Sequence, residues 1–449
     1  MSEIKTNKIS PRKGTTQTIG DSGDTVTIPS GVTLSNSGTI SGIQKIDWDT
    51  TAKTTNFNAS SQTGYFVNTT SGAITVTFPA SPTAGDVIGL KDYANTFDTN
   101  NLTIDPNGNK IQGVTSNFIV SVEGTAAQFI YVDATRGWVL TDASKASDIA
   151  EAATFITATG GCISYCGDYK IHTFTGPGTF CVSSLGNPIG GPNNADYLVV
   201  AGGASGGNGS VSEGGGGGGA GGFRTISCAP LTVQAYPVTV GGGGAAISCT
   251  STQSQGNDGS NSVFSTTTST GGGGGGAANG SFPFPGINGR PGGSGGGGST
   301  GNPAQTFGGT GGSGNTPPVS PSQGNNGGAS PANGPGDFSI LSAGGGGAGG
   351  AGGNAGNFPG GTSGNGGNGT ANSITGSPVT YAGGGGGGGN PSYTPQGGSG
   401  GTGGGGNGGP SALGSAGTAN TGGGGGGAGF GCAGYAGGSG IVIIRYKYQ

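Results

Sequence analysis

Runs of almost pure glycine at residues 214–222, 241–244, 271–276, 292–298, 344–353, 383–389, 397–409 and 422–429 constrain this chain more than any other feature. A glycine run has no side chain to bury, so neither an amphipathic helix nor a half-buried strand can be built from it. Glycine also loses the most backbone freedom on ordering, at least about 1–2 kcal/mol per position. Two outcomes remain: a flexible linker, the commonest meaning of such sequence, or an array in which backbones pack directly on one another. Collagen is excluded because the blocks keep no Gly-X-Y period.

The intervening sequence favours packing. Phe282, Phe284, Phe307, Phe338, Phe358, Tyr381 and Tyr393 interrupt the glycine, and the sequence finishes in SGIVIIRYKY. A strand as apolar as 441–446 is what a domain needs when its last strand must return to its first sheet. At three residues per turn and about 3.1 Å rise, an extended glycine helix has no side chain on any face, so neighbouring helices can bond N–H to C=O across every seam. A nine-residue run such as 214–222 then spans roughly 28 Å, and similar runs form a slab. Segments 245–270, 281–290, 302–307, 315–342, 357–360, 371–381, 390–396 and 410–421 become its end loops, where recognition is usually placed.

Of the 114 glycines, 92 lie in residues 201–449, a segment whose only charged residues are Glu213, Asp258, Asp337, Arg224, Arg290, Arg445 and Lys447. That half is neither basic enough for nucleic acid nor amphipathic enough for a membrane surface. Met1 to Thr16 is polar, with Lys5, Lys8, Arg12 and Lys13, and no secretory apolar stretch follows it, so assembly in the cytoplasm is expected. Cys162, Cys166 and Cys181 make a poor zinc set, because His172 is badly spaced and no CxxC pair exists. No metal or other cofactor is expected, and the six cysteines are read as small thiols buried in strands.

Along the chain the reading is all-β. Residues 1–43 hold short β-branched runs whose thin apolar line (Val26, Ile28, Val32, Leu34, Ile40) needs three copies around an axis to be buried. Residues 44–142 alternate as a small sandwich, with strands expected at 73–80, 86–90, 101–105, 117–124, 127–133 and 137–142. Trp48, Phe57, Phe66, Phe78, Phe129 and Trp138 are its core candidates, and either tryptophan could instead stack on a sugar. Residues 143–160 are expected to form a helical neck, capped by Ser147 with Asp148 and Glu151 near its start. Residues 161–449 form the glycine-rich domain, framed by strand-forming stretches at 169–175, 178–184, 195–203, 223–244, 261–265 and 439–448.

Two stretches resemble phage tail fibres: EIKTNKISPRKGTTQTIGDSGDTVTIPSG at the start, and the series NADYLVVAGG, GGGGAGGFRT, SNSVF, YAGGGGGGG and GGSGIVIIRY. The second is similar to the glycine-rich tail-fibre domain of phages that infect marine bacteria, cyanobacteria among them. YFVNTTSGAITVTFPASPTAGDVIGLKD with NNLTIDPNG resembles small β domains repeated along such fibres. The resemblance implies an elongated homotrimer in the virion, its N-terminal end, with Lys5, Lys8, Arg12 and Lys13, on a tail or adaptor protein. It also implies parallel glycine helices whose loops bind a host polysaccharide or outer-membrane protein. Phe282, Phe284, Arg290, Phe307, Phe338, Phe358, Tyr381 and Tyr393 are the candidate receptor contacts, since aromatic and arginine side chains lead at interface centres.

Two other readings stand beside it. Some tail spikes cleave polysaccharides with paired carboxylates, but Asp47 and Asp49 around Trp48, and Asp21 with Asp24, read as solvated or turn-capping acids, and a single histidine leaves no credible triad. No enzymatic activity is expected. A glycine-rich ice-binding or matrix protein would need regular threonine repeats on one face, which the irregular loops lack.

Overall fold

Alternation of apolar and polar residues places the strands of the first unit, and the chain winds them between two sheets. The structure is a computed structural model that describes residues 46–142, 149–209, 214–248, 254–278, 286–300, 308–331, 341–357, 360–390, 397–410, 413–429 and 433–449. It divides into two compact units, Met1–Glu151 and Ala152–Gln449. The first contains β1 (Asp47–Lys53), β2 (Phe57–Asn58), β3 (Thr63–Val67), β4 (Ile74–Thr77), β5 (Val87–Asp92), β6 (Leu102–Asp105), β7 (Phe118–Val120), β8 (Ala126–Asp133), β9 (Gly137–Asp142) and β10 (Ile149–Glu151). One sheet has the order β1-β3-β5-β8-β9 and the other β10-β7-β6-β4-β2.

Successive strands through β6 alternate between the sheets, so β1, β3 and β5 pair in parallel, as do β2, β4 and β6. Parallel neighbours need a crossover, and here a strand of the opposite sheet supplies it in place of a helix. Phe78, Phe129 and Trp138 are fully buried between the sheets, with the Phe78 and Trp138 rings edge to face at 5.0 Å. Phe57 packs at the rim of this core.

Trp48 is not a core residue. It lies 43% exposed with its ring 5.1 Å from that of the half-buried Phe66. Gly64 and Gly89 leave room for the indole on the outside of the sheet: a Cβ on Gly64 would fall 2.5 Å from Trp48 Cδ2.

The expected neck helix is also replaced. Ile149–Glu151 pairs antiparallel with Phe118–Val120, and Thr157–Thr159 is a strand as well, while Ser147 and Asp148 lie outside the described residues. About 13 residues of helix would be marginal alone, whereas the open edge of β7 offers backbone partners at once. Among the described residues the chain contains no α-helix.

The second unit frames its glycine with β11 (Thr157–Thr159), β12 (Cys162–Cys166), β13 (Tyr169–Phe174), β14 (Gly178–Ser184), β15 (Asn194–Val200), β16 (Phe223–Pro230), β17 (Ala235–Thr239), β18 (Ser262–Phe264), β19 (Thr267–Ser269), β20 (Thr370–Asn372), β21 (Val379–Tyr381) and β22 (Ile441–Lys447). The sheet β12-β13-β22-β15-β16 carries the final strand at its centre, between β13 and β15. Val442, Ile444 and Tyr446 enter a core shared with Phe180, Val238 and Phe264 of the sheet β11-β14-β17-β18-β19. Ile441 and Ile443 enter a second cluster, with Leu198, Val200, Ala220, Ile374 and Tyr381. The edge strand β12 leaves Cys162 and Cys166 exposed, Cys228 is exposed on β16, and Cys181 is half-buried, so these four thiols are not the buried ones expected. Cys249 and Cys432 lie outside the described residues.

His172 is wholly buried in this frame. Its Nδ1 lies 2.6 Å from the Gly160 carbonyl, which can only accept, so Nδ1 carries the proton and the neutral ring's Nε2 accepts from Tyr446 Oη at 3.2 Å. Burial lowers the histidine's proton affinity and pushes the Tyr446 hydroxyl up to about 12. An unfolded chain takes up the His172 proton from its ordinary value of 6.5 downward, and the folded chain only at lower pH. The His172 contribution to the second unit's stability is therefore full above about pH 6.5 and falls on acidification through the folded value, by at most about 1.4 kcal/mol per pH unit for this one proton. Urea unfolding at a series of pH values checks this, and His172→Gln should flatten that slope.

Candidate functional site

Glycine's missing side chain allows a helix of three residues per turn, and the hydrogen bonds show that period directly. In the run 214–222, the N–H groups of Gly215, Gly218 and Gly221 donate to Ala428, Gly425 and Gly422. Those of Gly216, Gly219 and Gly222 donate to Gly276, Gly273 and Thr270, and those of Gly217 and Ala220 to Ala343 and Gly346. Every third residue faces the same neighbour, as an extended threefold helix requires. The run's carbonyls accept in the same rhythm from segments 201–207, 294–297 and 385–388, and all these bonds measure 2.8–3.0 Å.

The helix of residues 214–222 thus lies among six others: 201–207, 270–276, 294–297, 343–346, 385–388 and 422–428. Only 343–346 runs in the same direction, because its partner numbers rise with those of 214–222 while the other five fall. The expected array is present, with mixed helix directions. A strand has two edges, whereas this helix satisfies its buried donors and acceptors around its whole circumference. A Cβ on Gly216, Gly217 or Gly219 would stand 2.1, 2.1 and 2.2 Å from the carbonyl oxygens of Gly297, Gly385 and Ser294. Ala220 is tolerated because its methyl group enters the apolar cluster beneath the sheet.

The array also recruits segments that are not pure glycine: serines such as Ser205, Ser294 and Ser342 are buried within it, while several larger polar residues sit on its outer faces. Asn365 and Asn368, three apart and both exposed, accept from the Ser399 and Thr402 N–H groups at 2.9 and 3.2 Å. Asp258 and Asn261 accept from Gly274 and Gly271, each at 2.9 Å. The sequence carries this signal as Gly-Asn-Gly-Gly-Asn-Gly at 364–369, a threefold polar period that the glycine and aromatic pattern alone does not reveal.

Two candidate receptor residues are described, and the structure separates them. Arg290 is not in an end loop: its N–H donates to Gly274, within the array. Its guanidinium reaches across that helix to Asp258 at 2.8 Å, with Gln255 Nε2 donating to the Asn288 carbonyl beside it at 2.9 Å. The pair is half-exposed on an outer face. Tyr381 belongs to β21 and is buried against Ile374 and Ala382, which raises the pKa of its hydroxyl, so it is a core residue and not a loop contact. Phe282, Phe284, Phe307, Phe338, Phe358 and Tyr393 lie outside the described residues, as do Lys5, Lys8, Arg12 and Lys13. Cys162 and Cys166 on β12, Cys181 on β14 and His172 on β13 occupy separate positions, and among the described residues no group of acids, cysteines and histidine could hold a metal ion.

No curated protein matches the chain. A family model described as a glycine-rich domain matches residues 175–447, from just before β14 through β22, which takes in the helical array and the framing strands other than β11, β12 and β13. The chain therefore belongs to the glycine-rich domain family.

Proposed function

We propose that this chain is the receptor-binding tail fibre of a bacteriophage, a non-enzymatic homotrimer that attaches the virion to a host surface. The observation that carries the reading is the division of labour in the second unit. Helices packed backbone to backbone admit almost no side-chain change, while the sequence between the glycine runs is irregular and rich in other residue types, as loops that carry recognition are. Such a body is a rigid holder for variable loops, and the tail-fibre wording of the sequence supplies the biological setting. Lys5, Lys8, Arg12 and Lys13 serve the virion end, and Phe282, Phe284, Phe307, Phe338, Phe358 and Tyr393 the host end.

Truncating Phe282 and Phe284 together to alanine is expected to cost about 2 kcal/mol or more of binding, a fall in adsorption of tenfold or greater. Three copies per fibre multiply each contact's effect through avidity. Adsorption kinetics on host cells measure the fall, and sedimentation of the same variant should still give the mass of three chains. Wild-type adsorption by this variant and by matching variants at Phe307, Phe338, Phe358 and Tyr393 counts against the reading. Arg290→Ala, which removes only the half-exposed pair with Asp258, should change adsorption less than twofold.

A further inference from the structure

Beyond the apolar cluster that joins the central sheet to the glycine array, the same face of the sheet ends in polar residues around a cavity of about 200 Å3. Asp196 and Arg445, register partners on β15 and β22, line it and are joined Oδ2 to Nη2 at 2.8 Å. The guanidinium also lies 4.8 Å from the centre of the Tyr169 ring. Thr225 and Ser227 of β16 line another side, and Asn372 and Ser373, at the turn of the β20–β21 hairpin, close the cavity. A second cavity of about 220 Å3 shares Thr225 and has Arg224 in its wall.

The backbone is distorted at this place. Ala195 faces Ala229 and Tyr197 faces Ile226, so Asp196 alone stands opposite both Ser227 and Cys228, a β-bulge. Cys228 has φ 55°, the left-handed region that glycine occupies without strain, yet this glycine-rich chain places a cysteine there. Its N–H donates to Asp196 Oδ1 at 3.0 Å, which holds the carboxylate against Arg445. Bulges of this kind re-aim side chains beside binding sites, and strain is retained where the surroundings enforce it.

The two opposite charges offset each other, so the cavity offers little net field to a free ion. Its remaining groups are hydroxyls and an amide that can both donate and accept, with Ile226 and Ile374 as apolar patches. That combination suits a ring carrying alternating hydroxyl and C–H faces. Each cavity is smaller than the roughly 300–1,000 Å3 of drug-sized sites, on the scale of one sugar ring. We propose that the two cavities, meeting at Thr225, form a cleft for two consecutive sugar residues of an oligosaccharide. The proposal rests on the attachment reading only for its source, a polysaccharide of the host surface; oligosaccharide binding itself is a property of the isolated protein.

The test uses the purified full chain and a panel of immobilised neutral hexose and uronic-acid oligosaccharides of two to four residues, with saturation-transfer NMR on those retained. Ser227→Trp and Thr225→Trp fill the cleft from exposed positions of an edge strand, where an aromatic residue is well tolerated. At least one oligosaccharide should bind the wild-type chain, and both variants should bind it at least tenfold more weakly with an unchanged melting temperature. Binding of none of the panel, or equal binding by wild type and both tryptophan variants, overturns the proposal. Adsorption by virions carrying the Phe282 and Phe284 substitutions is scored separately, so failure of the cleft and failure of the attachment reading remain distinguishable.

Discussion

Gly217→Ala is expected to abolish folding of the second unit, while Gly242→Ala leaves its stability within about 0.5 kcal/mol of the wild type. The first methyl group would be placed 2.1 Å from the Gly385 carbonyl oxygen and 2.9 Å from that of Gly386, both backbone atoms. No flexible side chain stands there to swing aside, and the helix bearing Gly217 is hemmed in by other helices on every side. Relief requires moving one helix against its neighbours, which breaks several buried hydrogen bonds at about 1–3 kcal/mol each. The sum exceeds the usual 1–3 kcal/mol cost of overpacking and enters the range above about 4–5 kcal/mol that single substitutions rarely reach. At Gly242 a Cβ would meet nothing within 4 Å, and the residue is exposed. Calorimetry that resolves two transitions would register the difference; a loss under about 1 kcal/mol for Gly217→Ala would mean that the array is not close-packed.

Ending the chain after Gly440 should leave the first unit folded and the second unfolded. The lost strand is the middle of its sheet, bonded to β13 on one side and β15 on the other. It also contributes to both apolar clusters, through Val442, Ile444 and Tyr446 on one face and Ile441 and Ile443 on the other. Five such side chains at about 1.5–3 kcal/mol each come to roughly 8–15 kcal/mol, as much as the whole stability of an ordinary domain. Amide hydrogen exchange reads the outcome residue by residue: protection should vanish throughout 152–440 and persist in β3, β5 and β8. Retained protection in the glycine runs of the truncated chain would show that the array stands without its frame. Ile444→Ala is the graded version, expected to cost about 2–5 kcal/mol.

Several elements were legible because their causes are local. Period-two alternation marks β5, β6, β8, β9 and β14 within a residue or two, since strand side chains alternate wherever one face is buried. The apolar 441–446 segment announced a last strand that returns to the first sheet, and the purity of the glycine runs announced backbone packing, because a Cβ between such helices has nowhere to go. Asn365 and Asn368 carried a threefold period that could have located an outer face of the array.

What the tertiary structure alone decided are the pairings. Whether Trp48 turns inward depended on two glycines in other strands, and whether Ile149–Glu151 became helix or strand depended on a free edge at β7. Tyr381 is a core residue only because the β20–β21 hairpin folds onto the sheet, and Arg290 meets Asp258 only because one glycine helix lies between them. The same holds for the array itself. One glycine run is chemically identical to another, so the sequence determines that these helices pack without side chains between them. It says nothing of which run is surrounded or which way each neighbour points. Those choices fall to the frame strands and connecting segments, the parts whose side chains can tell one partner from another.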